Sequence, residues 1–262
     1  MTDHGDREVI TSRLRQDVLR HVVTLKMLHF FGDSMELRFA QDDAGWALLS
    51  LLPVRVSEFD RQVYPNADTV VLVDGVSDAL KSALLAGLPA GRLVIKAHDD
   101  FTRKFALEAL GAQRALSFRS FTLPPTARLE PAPTGIMESE ALDPEIARIL
   151  ARNGYTGPEL ARFFAAGARW YAIEEAGRYV SAGFVFPIFE RVWEVGGLYT
   201  EPDHRRRGHA RRIVAAALGH LAARNLITRY QVRSDNLESV RLAETAGLRE
   251  FLRIDHFVAV RA

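Results

Sequence analysis

A strand, an arginine-rich turn and an amphipathic helix follow one another between Val192 and Leu221. The strand, Val192 to Thr200, is rich in β-branched and aromatic residues and ends shortly before Pro202, which lacks the N–H that a ladder needs. Beyond the turn, apolar residues recur at helical spacing, which predicts a helix with one buried face. These residues are Ala210, Ile213, Val214, Ala217, Leu218 and Leu221. The rest of the chain is expected to be organised around this strand–turn–helix unit.

The turn combines the features of a phosphate site. Its residues are Arg205, Arg206, Arg207, Gly208, His209 and Ala210. Successive backbone N–H groups at a helix N-terminus bind anions, and the helix dipole adds to their effect. Gly208 permits a tight turn and leaves no side chain in the way of a ligand, and guanidinium groups match phosphate oxygens. The alternative is a solvated surface turn, because arginine-rich turns before helices are common.

The pattern Arg205-x-x-Gly208-x-Ala210, after a strand that ends near a proline, resembles the acyl-CoA pyrophosphate loop of the GNAT superfamily of N-acyltransferases. The nucleotide-binding patterns GxxxxGK[ST], and GxGxxG after a strand, do not occur. The resemblance implies acetyl-CoA as the acyl donor and no metal, and it assigns a set of residues to the phosphates of the donor. They are Arg205, Arg206, Arg207, Gly208, His209, Ala210 and Arg211. His204 and His209 flank the arginines without the spacing of a known metal site.

Composition narrows the classes of function. The chain of 262 residues has no cysteine, which excludes disulfides, thiolate metal ligands and a cysteine nucleophile. Its net charge of +1 does not indicate a nucleic-acid-binding protein. The polar, acidic N-terminus is unlike a signal peptide, and no apolar run is long enough to span a bilayer. We therefore expect a cytoplasmic protein without nucleic-acid or membrane partners, and a homodimer is left open.

The N-terminal half alternates helical and strand patterns. Its predicted helices are 7–28, 57–63, 77–86 and 99–110, and its predicted strands are 35–40, 46–52, 69–73, 92–97 and 115–123. An offset of 136 residues places Gly111 on Gly247 and Asp99 on Asp235, which suggests a tandem GNAT repeat, with chance similarity as the alternative. The first copy lacks the arginine turn and carries Asp74 near a helix start, so it is a poor phosphate site. This layout resembles the glycine N-acyltransferase-like branch of the superfamily.

The linker 122–134 carries four prolines, which favour extended chain and mark a domain boundary. We predict a degenerate GNAT-like domain over 1–123 and a GNAT N-acetyltransferase domain over 124–262. The predicted fold class is α+β, a GNAT-type mixed, splayed sheet flanked by helices and preceded by a related degenerate α/β domain. The second domain is predicted to contain helices at 142–151 and 159–166 and strands at 170–174, 178–186, 192–200, 228–233 and 249–260.

The resemblance also implies how the donor and acceptor are held. The strand 192–200 would splay from its neighbour at a bulge, for which Gly196–Gly197 is suited. The backbone of Leu198, Tyr199 and Thr200 would hold pantetheine, and an N–H near Leu198 would polarise the thioester carbonyl. The helix pair of the second domain would shape the acceptor pocket, and aromatic residues in and after its second helix would line it, although residues at this spacing are commonly core. They are Phe163, Phe164, Trp170 and Tyr171.

Glu194 is the candidate general base. An amine acceptor is protonated near pH 7 and must lose a proton, through water or directly, before it attacks a thioester. Glu194 lies fourteen residues before Gly208, and this looks like the base position in family members that use glutamate. The alternative is a strand glutamate on a solvated face or in an ion pair.

The run from Ser234 to Leu248 resembles the second GNAT signature. The resemblance assigns Asn236 and Ser239 to the donor, and the alternative is a capping box formed by Asp235 and Glu238, residues that only begin a helix.

A departure from the family lies in the same run. Ala243 stands where many members carry a tyrosine that reprotonates the CoA thiolate, which leaves Ser239 and Tyr199 as alternative donors.

These observations predict an N-acyltransferase that moves an acyl group, acetyl first, from acyl-CoA to a primary amine of a small molecule or peptide. The transfer would be direct, in a ternary complex, since the absence of cysteine excludes a thiol-acyl intermediate. Two other classes stay open: a non-catalytic acyl-CoA sensor, and a nucleic-acid binder that uses residues 205–212.

Overall fold

The computed structural model describes residues 4–129 and 133–262, so residues 130–132 of the proline-rich linker lie outside the described residues. The chain divides into two compact units. The first unit comprises the chain up to Phe118 together with Leu252–Ala262, and the second unit comprises Arg119–Phe251. The predicted domains, 1–123 and 124–262, divide the chain at one point in the sequence, whereas these units are defined by contacts between residues. The domains therefore stay a prediction.

Helices and strands alternate along most of the chain. The helices are α1 (His4–Arg15), α2 (Val22–Phe31), α3 (Glu58–Val63), α4 (Asp78–Ala86), α5 (Asp100–Glu108), α6 (Pro144–Ala151), α7 (Gly157–Ala165), α8 (His209–Ala223) and α9 (Leu237–Thr245). The strands are β1 (Glu36–Asp42), β2 (Gly45–Pro53), β3 (Thr69–Gly75), β4 (Gly91–Ala97), β5 (Gln113–Thr122), β6 (Met137–Ser139), β7 (Arg169–Glu175), β8 (Arg178–Phe189), β9 (Val192–Thr200), β10 (Ile227–Arg233) and β11 (Arg249–Arg261). Of the described helices, none is long and apolar enough to cross a membrane.

The single helix predicted over 7–28 is wrong, because residues 16–21 separate α1 from α2. Asp17 explains the interruption: its carboxylate accepts the backbone N–H of Arg20 at 3.1 Å and so competes with helical bonding. The short strand β6 was not predicted either, since three residues show no pattern.

In the first unit, β1, β2, β3, β4 and β11 lie side by side in that order. β1 and β2 form an antiparallel hairpin that closes where Asp42 faces Gly45. β3 and β4 run parallel, from the pair Thr69 and Leu93 to the pair Val71 and Ile95. The last strand was predicted at 249–260 as part of the second domain. The structure pairs β11 with β4, and its Phe257 belongs to the apolar core of the first unit.

In the second unit, β10, β9, β8, β7 and β6 lie side by side in that order. β10 and β9 are parallel and the other neighbours are antiparallel. The predicted apolar face of α8 packs into the core of this unit, where Ile213, Val214 and Ala217 are buried. The fold is therefore α+β, a mixed sheet flanked by helices, as predicted.

Candidate functional site

The two parallel strands of the second unit part after a short ladder. Their register joins Ile227 to Val192, Thr228 to Trp193 and Arg229 to Glu194, and extends no further. Each strand continues past this point, β9 to Thr200 and β10 to Arg233. Backbone groups that lack a neighbouring strand are available to a ligand. The predicted splay of β9 from its neighbour is thus present.

A bulge lies on β9 where the strands part. Opposite β8, Phe184 pairs with Gly196 and Ala182 pairs with Tyr199, so Gly197 and Leu198 together oppose one residue. Gly197 has a φ of 63°, and a β-carbon there would lie 2.5 Å from the side chain of Leu150, so only glycine fits this position. The structure places the bulge at the predicted glycine pair and leaves Leu198 within it.

Asn153, from the connection between α6 and α7, touches this bulge. Its Nδ2 donates to the carbonyl oxygens of Gly197 at 3.2 Å and Leu198 at 3.3 Å. On the neighbouring strand, Ser181 Oγ donates to the Tyr199 carbonyl at 3.1 Å and lies 2.8 Å from Thr200 Oγ1. The carbonyls of the bulge are thus held by the side chain of Asn153.

The arginine turn leads directly into α8. Gly208 precedes the helix with a left-handed φ of 80°, and no side chain caps the first turn. The first turn also contains no acidic residue. Uncapped N–H groups at a helix start carry the partial positive charge of the helix dipole. The local geometry therefore suits an anion.

The arginines of the turn differ in their partners. Arg205 Nε donates to the Thr200 carbonyl at 3.0 Å, and Arg207 donates to the Asp203 carbonyl at 2.9 Å, so both hold the turn in shape. Arg206, which has a φ of 61° and is exposed, makes no hydrogen bond or ion pair with any described residue. The guanidinium group of Arg206 is thus available to a phosphate.

Glu175, at the end of β7, fixes the base of the turn. Its carboxylate lies 3.4 Å from His204 Nε2, 3.6 Å from Arg207 and 3.1 Å from His209 Nε2. His209 is buried, and its ring nitrogens make no well-aligned hydrogen bond to the described residues. The side chain of His209 therefore packs inward, which leaves only its backbone N–H, as expected, for a phosphate.

Glu194 is bonded to Arg229, so the ion-pair alternative describes its surroundings. Arg229 Nη1 donates to a Glu194 carboxylate oxygen, and the exposures are 8% for Glu194 and 1% for Arg229. The pair stands at the last residues of the parallel ladder, immediately before the strands part. A carboxylate accepts several hydrogen bonds, so Glu194 keeps acceptor capacity toward a substrate.

Tyr155, between α6 and α7, places a hydroxyl beside this pair. A β-carbon at position 196 would lie 2.6 Å from the Tyr155 hydroxyl oxygen, so Gly196 makes room for the phenol. The ring packs edge-on against Phe184 with a centroid distance of 5.0 Å. Burial raises the pKa of Tyr155, and the nearby Glu194 carboxylate raises it further. The phenol therefore stays protonated across the physiological range.

The predicted pocket aromatics separate into two groups. The Phe163 ring is tilted against Phe186 with a centroid distance of 4.3 Å, and the Phe164 ring stacks on Phe184 with a centroid distance of 6.1 Å. Tyr155 packs against the same two rings, so all three residues lie on one side of the sheet. Trp170 is buried and donates from Nε1 to the Ala141 carbonyl at 2.8 Å. Tyr171 belongs to the apolar core that contains α8. The structure thus brings the two phenylalanines near the site and places Trp170 and Tyr171 in the core.

Asn236 begins α9. Its side chain accepts the backbone N–H of Ser239 at 3.1 Å, and the Ser239 hydroxyl lies 2.6 Å from that of Tyr230. The helix cap is therefore Asn236, whereas the capping-box alternative of Asp235 and Glu238 is wrong, because Asp235 pairs with Arg233 at 2.6 Å.

The alternative proton donors of the sequence analysis have partners as well. The hydroxyl of Tyr199 lies 2.5 Å from Arg152 Nη1 and 3.3 Å from Glu201, while Ala243 is fully buried in the core. Neither Tyr199 nor Ser239 carries a free hydroxyl in this structure.

The matches to known proteins agree with this geometry. Residues 137–248 match the acetyltransferase (GNAT) family model, and no curated protein matches the sequence. A GCN5-related N-acetyltransferase from Kribbella flavida has a TM-score of 0.60 at 14% identity, with 92% of this chain and 95% of that chain covered. A GCN5-related N-acetyltransferase from Sphaerobacter thermophilus has a TM-score of 0.56 at 13% identity, covering 84% and 78%. A tandem GNAT protein from the clavulanic acid biosynthesis pathway has a TM-score of 0.54 at 14% identity, covering 91% and 87%.

At such identities these structures show a shared fold. The family match identifies residues 137–248 as a region similar to the GNAT acetyltransferases, a family that implies acyl transfer from acyl-CoA.

Sequence reasoning missed Asn153, Tyr155, Glu175 and Arg229. Asn153 and Tyr155 lie in a connection between helices, where no periodicity identifies them. Arg229 had a visible signal, because it interrupts a strand that is otherwise suited to burial. A charged residue inside such a strand requires an opposite charge, and Glu194 is the buried acid on the neighbouring strand.

Proposed function

We propose that this chain transfers an acyl group, acetyl first, from acyl-CoA to a primary amine by direct transfer in a ternary complex. The proposal rests on one observation: β9 and β10 part at Glu194 and Arg229, and β9 leads directly into the arginine turn and the uncapped start of α8. A backbone edge for an amide-bearing arm and a cationic site for its phosphates thus follow one another along one strand.

The donor would bind along this path. The phosphates would meet the N–H groups of residues 208–211 and the guanidinium group of Arg206. The amides of pantetheine would pair with the backbone of Leu198 and Thr200. The hydrogen bond from Asn153 to the Leu198 carbonyl would break, and this carbonyl would accept a pantetheine N–H instead. Asn236 and Ser239 would contact the donor from the start of α9.

In the transfer itself, the amine nitrogen forms a bond to the acyl carbon while the carbon–sulfur bond breaks. The ammonium form must first lose a proton, which Glu194 would accept directly or through water. The departing thiolate must gain a proton, which the Tyr155 hydroxyl beside Gly196 would supply, and the second proton that the nitrogen loses as the amide forms would restore the phenol. Tyr155 would thus replace the tyrosine whose place Ala243 takes.

One observation favours a second function, a non-catalytic acyl-CoA sensor. Glu194 is already bonded to Arg229, and a buried ion pair at the end of the ladder serves equally well as a strut between the two strands. A sensor would bind the donor in the same place and release no CoA with any amine.

The first unit is proposed to be a degenerate relative of the second, in line with the predicted halves 1–123 and 124–262. Both units contain two parallel strands with a helix between them along the chain. The order is β9–α8–β10 in the second unit and β3–α4–β4 in the first. Its α4 is capped by Ser77 and carries Asp78 in the first turn, which disfavours an anion. A second donor site is therefore not proposed there.

The activity is tested by release of free CoA thiol from acetyl-CoA in the presence of a library of primary amines. The proposal expects thiol release with one class of amine and a product whose mass is increased by one acetyl group. Binding of acetyl-CoA without release across the library would favour the sensor. Absence of binding to acetyl-CoA and to longer acyl-CoA donors would contradict both.

A further inference from the structure

Three potential metal ligands meet inside the first unit. His21 directly precedes α2, Asp74 lies near the end of β3, and His98 directly follows β4. His21 Nδ1 lies 2.5 Å from Asp74 Oδ1, and His98 Nε2 lies 3.3 Å from the same oxygen. One ligand atom of each residue lies within 4.8 Å of the other two.

The cluster holds a buried carboxylate. The Asp74 side chain is fully buried and the side chains of His21 and His98 are each 5% exposed. Among the residues described here, no lysine or arginine pairs with Asp74. A buried carboxylate with two imidazoles as its neighbours and no such partner is suited to a bound cation.

A second layer of contacts fixes the carboxylate. The Thr24 hydroxyl donates to Asp74 Oδ2, which leaves Oδ1 for both imidazoles. The ring of His21 packs beside Trp46 with a centroid distance of 5.6 Å, and this limits its rotation. Outer hydrogen bonds of this kind orient the ligands of metal sites.

We propose that His21, Asp74 and His98 bind a divalent transition-metal ion of the zinc class. Two imidazoles and a carboxylate are a ligand set that Zn²⁺ accepts, with a fourth position left for water. Bonds of about 2.0–2.2 Å in tetrahedral geometry put ligand atoms roughly 3.3 Å apart, which the His98–Asp74 distance already meets. His21 would move back from the carboxylate by roughly 1 Å, replacing its hydrogen bond with a bond to the metal.

This site is separate from the transfer reaction, for which no metal is expected. The three proposed ligands are far apart in the sequence, so no spacing motif predicts the metal site. It also lies where β3 and β4 have passed their last parallel pair, Val71 with Ile95. The corresponding point of the second unit is where the donor is proposed to enter.

The test uses the full chain, stripped with a chelator and titrated with Zn²⁺ or Co²⁺ alone. We expect one ion per chain, a rise in Tm, visible Co²⁺ absorption, and weaker binding at pH 5.5 than at pH 7.5, because the imidazoles must be neutral to bind. His98→Ala and Asp74→Asn should lose this binding, and Thr24→Val should weaken it by about tenfold or more. His29→Gln, an exposed histidine on α2, is the matched control and should bind as the wild type does.

Wild-type protein that retains no ion and gives neither a Tm rise nor Co²⁺ absorption would overturn the proposal, whatever the variants do. Undiminished binding in a folded His98→Ala variant would overturn it as well. In either case the cluster is a buried histidine–aspartate ion pair.

Discussion

The two units share a supersecondary arrangement and differ in its chemistry. In each, a parallel strand pair is joined over three residues and then parts, and a helix follows the first strand. At the last pair the first unit has Val71 and Ile95, both fully buried, and the second has the ion pair of Glu194 and Arg229. The same backbone arrangement thus ends in an apolar residue pair in the first unit and in a charged residue pair in the second.

The helix starts differ in the same sense. α4 is capped by the Ser77 side chain and begins with an acidic residue, whereas α8 begins at a glycine in left-handed conformation without a cap or an acid. Because the helix dipole is present in both, the residues at the helix start decide whether an anion is attracted. The proposed phosphate site therefore belongs to the second unit, where the sequence leaves the helix start open.

The largest effect is expected from converting the second unit's charged pair to the first unit's apolar one. Glu194→Val together with Arg229→Ile should keep or raise stability, since a buried ion pair replaced by apolar residues is often neutral or stabilising. Turnover should fall by about 10²- to 10⁴-fold, the range for loss of a general base. Glu194→Gln, measured by kcat, KM and CoA affinity, should lower kcat with little change in affinity.

Glu174→Gln, at an exposed strand glutamate of β7, is the matched control and should leave turnover unchanged. A change in turnover of less than about twofold in Glu194→Gln, which is below about 0.5 kcal/mol in the barrier, would remove Glu194 as the base.

Charge reversal at the arginine turn is expected to act on affinity. Arg206→Glu should weaken CoA binding by about 100-fold, or about 2.8 kcal/mol, because it places a like charge beside the pyrophosphate. Val76→Glu introduces the same charge before α4 in the first unit and should leave binding unchanged. If calorimetry gives Arg206→Glu and the wild type equal affinity for CoA, the turn is not the phosphate site.

A smaller effect on rate is expected at Tyr155. Tyr155→Phe keeps the ring against Phe184 and removes the proton donor, so kcat should fall by about tenfold or more while KM for the donor stays close to that of the wild type. Tyr179→Phe, which removes a hydroxyl that lies away from this cluster, is the control. An unchanged kcat would mean that the thiolate takes its proton from water.

The helix caps can be compared through stability. Ser77→Ala removes the hydroxyl that accepts the Leu80 N–H, so it should lower the free energy of unfolding by about 1 kcal/mol. CoA affinity should not change, because α4 still begins with Asp78. Denaturant unfolding and calorimetry on the same preparation separate the two readouts, and a gain of a second CoA site would contradict this account.

The smallest effects concern pH. Each unit holds an imidazole whose pKa is lowered: His256 in the first, by burial and then Lys96, and His220 in the second, to about 4, by burial and then Arg224. The unfolded chain binds a proton near pH 6.5 while folded His220 stays neutral until about pH 4, so stability should fall as pH drops between these values. His220→Gln should flatten the decline of Tm between pH 6.5 and 4, and His29→Gln should not.

The local features of both units could be predicted from the sequence. The arginine turn, the glycine pair of the bulge and the apolar face of α8 are visible because each lies within a few neighbouring residues. The break between α1 and α2 was not visible in the same way. Asp17 interrupts the helix by a hydrogen bond to the backbone, and the spacing of apolar residues does not reveal such a bond.

Contacts between distant residues account for what was missed. Glu194 meets Arg229, Glu175 meets His209, and His21 meets Asp74, each across more than thirty positions. Only the folded backbone brings such residues together, and no spacing pattern encodes which strands become neighbours. The pairing of β11 with β4 escaped prediction for the same reason.

Calorimetric titration with acetyl-CoA tests the central claim most directly, with Gly208→Trp and Gly111→Trp measured beside the wild type. Both glycines have a positive φ and open space at the β-carbon, so each variant carries a similar backbone strain of about 1–2 kcal/mol. We predict one binding site per chain, lost in Gly208→Trp and kept in Gly111→Trp. Two sites per chain, or full affinity in Gly208→Trp, would contradict the account.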